Sequence, residues 1–331
     1  MQYAEVKLGI DISKASFDAY VMNEGQGKHK VFSNDSNGFE ALRSWLNKLG
    51  FERVHACMEA TGRYGEALAE YLVCQGHQVS MVNAYLIKQY REGHLHLNKT
   101  DRGDAQLIAE YCLREGTNLR LWVPLDEKQK HLRALVRRLD ELKEERTREE
   151  NRLESIIDDA FVDRNIKAHL DYLNVQIRLL QDEIGTFIDQ DSDLKAKQKL
   201  LKSIPGVGEQ SAQRFMAELA DTNQYENSGQ VAAHFGLNPR IFQSGTSVRK
   251  QSRISKQGQA KMRASLYMPA VVATRYNPVI IDLSRRMTKT GHVKMEIIVA
   301  AMRKLLTLMY GVLKSGLPFD PDYGKKFNFA P

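Results

Sequence analysis

The sequence has little of what would mark a secreted or membrane-bound protein. Its 331 residues hold three cysteines, Cys57, Cys74 and Cys112. They are odd in number, widely spaced and in no Cys-x-x-Cys pair, which excludes a disulfide framework and a thiolate zinc site and leaves reduced thiols filling a core. No apolar run is long enough to cross a bilayer, and the opening residues, MQYAEVKLGID, lack the basic-then-apolar build of a signal peptide. A cytoplasmic protein without a membrane partner is expected.

Glycine and proline are missing from residues 125–184. Leu132, Leu135, Leu139 and Leu142, and later Leu170, Leu173, Ile177, Leu180, Ile184 and Phe187, recur at alternating steps of three and four, the spacing of a coiled-coil seam. Arg146, Glu149, Asp163 and Lys167 hold in-phase positions between the runs. The segment therefore reads either as two helices folded back or as one long helix with a polar middle. Its seam needs a partner, and the lack of a turn signal favours a second protomer over the chain itself.

Acidic residues are scarce in one half. The formal charge is +7, yet residues 193–331 carry 22 Lys and Arg against 9 Asp and Glu, and residues 240–304 carry 14 against 2. Such a density attracts a polyanion through phosphate contacts and counterion release. A solvated basic surface is the plainer reading; the local clustering favours nucleic acid.

A chain of 37.8 kDa suits two domains and a connector. Strands over 6–12, 17–22 and 29–32 read as a meander. A helix (38–49), a strand (53–58), a helix (64–75), a strand (78–82) and helical stretches (85–90, 102–114) follow, which predicts a mixed sheet with helices on its faces. The divisions are 1–124 for this α/β domain, 125–191 for the connector, 192–317 for a mostly helical basic domain, and 318–331 for an irregular tail. Helices in the basic domain are predicted over 193–204, 209–218, 228–235, 256–274 and 294–314.

Within the α/β domain four acids stand out. Asp11 lies in the apolar run Leu8-Gly9-Ile10-Asp11-Ile12, where a carboxylate is costly without a cation or donor. Glu59 ends a second strand-like run and precedes the turn Ala60-Thr61-Gly62. Asp101 and Asp104 open a helix three residues apart, on one face of its first turn. Taken alone these two read as helix caps. Taken with Asp11 and Glu59 they form a set of hard oxygen donors suited to a pair of Mg²⁺ ions and phosphoryl transfer.

In the basic domain, Ile204-Pro205-Gly206-Val207-Gly208 is like a helix-hairpin-helix turn, whose glycines Gly206 and Gly208 let backbone N–H groups approach a phosphate; an ordinary Pro-Gly turn fits equally. Ser244 precedes Gly245 and is ringed by Arg240, Arg249, Lys250, Arg253 and Lys256, so it could act as a nucleophile. By spacing alone it is not separable from Ser247, Ser252 or Ser255, any of which could be a polar turn residue. His94 and His96 make no metal-site spacing.

Together, Gly9-Ile10-Asp11, Glu59-Ala60-Thr61-Gly62, Lys99-Thr100-Asp101-Arg102-Gly103-Asp104-Ala105, Ile204-Pro205-Gly206-Val207-Gly208, Gln243-Ser244-Gly245 and Ile254-Ser255-Lys256-Gln257-Gly258 resemble the DEDD transposases of the insertion-sequence one-ten family, with its eleven-eleven subgroup, over nearly the full chain. The resemblance implies a RuvC-like, ribonuclease-H-like domain with Asp11, Glu59, Asp101 and Asp104 as its metal-binding quartet for Mg²⁺, with Mn²⁺ able to substitute. It implies Ser244 as a nucleophile forming a 5′-phosphoserine intermediate, strand exchange through a junction-like state, and excision of the element as a circle. A noncoding guide RNA pairing with donor and target DNA is implied as well, as is a homodimer joined by the coiled coil and assembling as a tetramer.

Three other readings compete. An actin-like ATPase or sugar kinase shares a strand meander opening with Asp, but Ile12-Ser13-Lys14 is no glycine-rich phosphate cradle. A junction-resolving nuclease would use metal-activated water and leave Ser244 to contact backbone. A dimeric DNA-binding protein would keep the acids as structural groups.

Overall fold

The structure, a computed structural model, describes residues 5–23, 26–60, 64–93, 100–155, 159–219, 221–244 and 248–322, without the side chains of 241–252. The chain forms two compact units, Met1–Pro124 and Leu125–Pro331. Among the described residues no helix is long and apolar enough to cross a membrane.

The first unit runs β1 (Lys7–Ile12), β2 (Ser16–Asn23), β3 (Gln26–Ser33), α1 (Ser36–Lys48), β4 (His55–Glu59), α2 (Glu66–Cys74), β5 (Gln78–Val82), α3 (Ala84–Gly93) and α4 (Asp101–Glu115). The sheet order is β3-β2-β1-β4-β5. The meander is antiparallel, and β4 and β5 run parallel to β1, so the predicted mixed sheet is observed. Strand side chains alternate between faces. Leu8, Ile10 and Ile12 join Phe17, Ala19, Val21, Ala56 and Met58 in a core with Leu42 and Leu46 of α1 and Leu68 and Leu72 of α2.

The opposite face carries Gly9, Asp11 and Cys57, and α4 lies against it. The reason is Gly9: a β-carbon there would stand 2.1 Å from the carbonyl oxygen of Ala105 and 2.3 Å from the amide nitrogen of Ala109. Beside it Tyr20 packs on Ala105 and Ala109. Cys57 and Cys112 are buried in this layer, as expected of core thiols, whereas Cys74 is exposed at the end of α2.

The second unit comprises α5 (Glu127–Ser155), α6 (Ala160–Gln190), α7 (Ser192–Lys202), α8 (Glu209–Glu218), a 3-10 turn (Thr222–Gln224), α9 (Ser228–His234), β6 (Pro239–Ser244), β7 (Val248–Ile254), α10 (Ala260–Tyr276), α11 (Pro278–Lys289) and α12 (Lys294–Ser315). Of the two readings of the connector, the helices fold back. Leu132, Val136, Leu139 and Leu142 of α5 share a core with Leu173, Ile177, Ile184 and Ile188 of α6. The rings of His131 and Phe187 lie 4.8 Å apart and His169 reaches Glu145 at 3.9 Å, so early α5 meets late α6. The seam thus finds its apolar partner within the chain. The hairpin is tied to α8 by a two-pronged Arg137–Glu218 pair at 3.1 and 3.2 Å and by Arg214–Asp140.

Asn277 joins three parts of this unit. It is fully buried; its Oδ1 accepts from the amides of Val279 and Ile280 at the start of α11, and its Nδ2 donates to the Pro205 carbonyl at 3.2 Å. The β6–β7 hairpin and α11 were not expected from the sequence. Residues 239–254 are polar without alternation, and Asn277-Pro278 suggests a break although it is a cap followed by a first-turn proline. Helix α10 begins at Ala260 rather than 256 because Lys256 (φ 56°) and Gly258 (φ 148°) leave the helical region. The predicted tail is irregular through 322, but Phe319 docks on the core and its amide donates to Ser203 Oγ at 2.8 Å.

Replacing Gly9 with Ala is expected to destabilise the first unit by about 3 kcal/mol, since the clash is with backbone that cannot swing away. Denaturant unfolding of Gly9→Ala monitored on this unit checks it; wild-type stability would show that α4 can shift freely.

Candidate active site

The carboxylates of the first unit meet where β1 and β4 end. Asp11 faces α4, and because Ile10 pairs with Met58 in the parallel ladder, the next residue along each strand brings Asp11 beside Glu59. Across the antiparallel ladder Asp11 pairs with Asp18. Helix α4 begins over this edge. Thr100 caps it, its hydroxyl accepting from the Gly103 amide at 3.1 Å, so the capping role open to Asp101 and Asp104 is taken by another residue. Asp101 is exposed on the first turn and Asp104 is buried.

Electrostatics join the four. The Asp11 carboxyl is pushed up to about 6, first by burial and then by the negative charges of Asp104, Glu59, Asp101 and Asp18. Each predicted acid lies close enough to disfavour ionisation of Asp11. As they stand, no three such donors among the described residues are gathered closely enough to hold an ion. The donor chemistry nonetheless suits a hard divalent cation: all four are carboxylates, held by strand ends and a helical turn.

Three further residues belong to this neighbourhood. Arg91 of α3 donates from Nη2 to Asp104 Oδ1 at 2.6 Å. Asp18 is a fifth acid on the same sheet face, and His29 Nε2 lies 2.6 Å from its Oδ1. Arg91 reads in the sequence as a basic residue ending a helix, and Asp18 is found only once the register of the meander is known.

The other predicted residues lie in the second unit. Ser244 ends β6 and pairs with Val248 across the hairpin; the side chains of Ser244, Arg249 and Lys250 fall outside the described residues. Arg240 and Arg253 are exposed cross-strand partners. Lys256 is exposed in the left-handed region, in a loop whose shape is held by Arg263 Nη1 donating to the carbonyls of Phe235 and Gly258 at 3.1 and 2.8 Å. Gly206 has φ 100°, and a β-carbon there would approach Ala273 Cβ to 2.7 Å, so this glycine serves close packing on α10; Gly208 precedes α8 with open space around it.

Comparison with known proteins gives the following. Residues 8–162 match the family DEDD_Tnp_IS110, described as transposase, and residues 198–285 match the family described as Transposase IS116/IS110/IS902. The chain is 34% identical over 319 residues to the pilin gene-inverting protein of Moraxella lacunata, covering 95% of this chain and 97% of that one. It is 26% identical to the transposase for insertion sequence element IS1111A of Coxiella burnetii, covering 81% and 78%. A partial likeness, with TM-score 0.27 and 16% identity over 36% of this chain, is to Thermus thermophilus RuvC in complex with Holliday junction substrate, all of which is covered.

The raised Asp11 carboxyl has a thermal consequence. The folded state prefers the protonated acid, so its contribution to stability is complete below about pH 4 and is lost as pH rises through about 6. In chelator at pH 7, Asp11→Asn is expected to stabilise the first unit by about 1–2 kcal/mol, allowing for partial solvent exposure. The gap should close below about pH 4. Melting curves at both pH values check this; a variant no more stable at pH 7 would mean that the acids do not crowd one another.

Proposed function

Because the chain belongs to the DEDD transposases of the IS110 family, we propose that it is a DNA recombinase in which Asp11, Glu59, Asp101 and Asp104 hold two Mg²⁺ ions, or Mn²⁺ in their place, and Ser244 attacks the DNA phosphate. Residues 1–124 serve as the carboxylate domain, 125–191 as the joining segment and 192–317 as the serine domain. The observation that carries this reading is the setting of Asp11, whose carboxyl is raised first by burial and then by the charges of Asp104, Glu59 and Asp101, with Asp18 adding to them. Bound ions would supply charge neutralisation for the phosphoryl group.

The protein's own part follows from its side chains. The Ser244 hydroxyl gives up its proton as Oγ bonds to phosphorus, and the P–O3′ bond breaks to release a protonated 3′-hydroxyl. The 5′-phosphate is left on the serine. Attack by a 3′-hydroxyl of the partner strand reverses the step, joins the new strands and frees Ser244. Arg240, Arg253 and Lys256 are exposed on the second unit, and they with Arg249 and Lys250 offer positive charge to the backbone, with Gly208 at the start of α8 as a further phosphate contact; Gly206 shapes that turn. An element-encoded guide RNA pairing with donor and target DNA belongs to the same proposal, with the protein acting in the cytoplasm. The junction-resolving nuclease remains the competing chemistry, with water in place of Ser244.

The product follows from how the sites are arranged. Directly repeated sites yield a circle; inverted sites yield an inversion, the outcome named in the Moraxella relative at 34% identity. The element with its flanking noncoding DNA, in both arrangements, is expected to recombine with wild type and to fail with Asp104→Ala and with Ser244→Ala, each at normal protein levels. A protein-DNA adduct should be trapped only when Ser244 is present. Products that survive Ser244→Ala but not Asp104→Ala would leave a metal nuclease and remove the serine chemistry.

The homodimer has a candidate surface. Phe161, Ala168, Tyr172, Val175 and Leu179 form a second, outward stripe on α6, exposed and at heptad spacing, with Phe161 71% and Tyr172 58% accessible. Two such stripes would pair about a twofold axis. Tyr172→Glu with Leu179→Glu is expected to weaken self-association at least about tenfold, read by light scattering over a concentration series. An unchanged mass would place the protomer contact elsewhere.

A further inference from the structure

Arg91 touches the candidate site without belonging to the quartet. Its helix is docked on α4: Ile87 is buried with Leu107 and Ile108, and Tyr90 meets Tyr111 edge to face at 5.4 Å. From this platform Arg91 reaches Asp104 Oδ1 at 2.6 Å, with 23% of its own side chain and 11% of that of Asp104 accessible. The contact is therefore held by packing on both sides.

Two properties give it a role. A guanidinium is a planar cation whose fork of N–H donors matches a carboxylate, so Arg91 brings positive charge and a directed hydrogen bond to Asp104. Asp104 is itself buried, 8% accessible as a residue, so its charge needs a positive partner whether or not an ion is bound, and Arg91 is in contact with it. A second cation drawn to the four carboxylates meets Arg91 already in place on one of them.

We propose that Arg91 is a positioning residue that acts as the resident counter-ion of the quartet and yields Asp104 to the divalent ion when the site is loaded. This rests on the metal-binding reading above. The arginine spares the fold the repulsion of crowded acids, and in return it opposes metal binding. Loading then changes α3 as well as the carboxylates, since Arg91 must let go of its partner.

The test is a calorimetric titration of the full chain with Mn²⁺ after removal of metal by chelator. Arg91→Gln is expected to bind Mn²⁺ at least about fivefold more tightly than wild type, because a positive charge a few ångströms from the ion is gone. In chelator it should melt at a lower temperature, since Asp104 is left buried and unpaired. Arg91→Lys keeps the charge and is expected to stay close to wild type in affinity. Weaker or unchanged binding by Arg91→Gln would overturn the inference, as would equal tightening by Arg91→Lys, which would remove charge as the cause. If Arg91→Gln does not fold, the wild-type protein decides: the Arg91 guanidinium ¹⁵N signals, assigned with Arg91→Lys, should lose their protection from solvent exchange on adding Mg²⁺, and retention of that protection would overturn exchange. Asp11→Asn and Asp104→Asn separate the two levels. If they bind Mn²⁺ as wild type does, the metal reading falls; if they lose binding while Arg91→Gln fails to tighten it, only the role of Arg91 falls.

Discussion

The constraint on which the first unit depends is the approach of α4 to β1 at Gly9, where there is no room for even a β-carbon. Because the helix lies so close, its first turn comes over the end of the strand and brings Asp101 and Asp104 to Asp11. A helix standing further from the sheet would leave Asp11 less buried and further from Asp101 and Asp104. The raised carboxyl of Asp11 thus depends on packing at Gly9, two residues before it in the same strand.

That crowding has to be tolerated by the fold. Like charges brought together on a sheet edge oppose folding, and two contacts stand where they can offset it: the Arg91 guanidinium on Asp104 and the hydrogen bond between His29 and Asp18. Both come from elements outside the quartet, so the neighbourhood of the site extends over β2, β3 and α3. Thr100 contributes differently, by capping α4 itself and so leaving the two aspartates of that turn available for other contacts.

Much of this was legible beforehand. The alternation around Asp11, the turn after Glu59 and the three-residue spacing of Asp101 and Asp104 are local patterns, and local patterns carry through to strands and helices. The supporting residues were not legible because their roles depend on pairing between distant segments. Asp18 is one of many acids until the hairpin register sets it opposite Asp11, and Arg91 is an ordinary end-of-helix cation until α3 docks. The connector shows the same limit. Its heptads specify a seam but not the seam's partner, and the preference for a second protomer gave way to the chain's own second helix. Residues 239–254 failed for a different reason: a polar hairpin has no hydrophobic period to read, and its pairing, with an irregularity between Arg240 and Phe242, is imposed by the strands on each other.

The helical hairpin of the second unit is fastened at its root. Arg133, Arg137, Asp140 and Lys143 bond to α8 or its end, and Glu144 to Lys261, all in the first two-thirds of α5. Mechanically this is a cantilever. From Glu144 to Ser155 the beam projects about 16 Å at 1.5 Å per residue, and any load at its far end acts on the root with that lever arm. A tilt of a few degrees where Arg137 meets Glu218 would move the far end by about an ångström or more over that length, while the α5–α6 contact, apolar up to Leu142 and polar beyond it where His169 meets Glu145 and Glu149, joins the two helices along the way. Whatever grips the tip therefore has a direct mechanical line to α8, and to the α7–α8 turn that α8 helps to form.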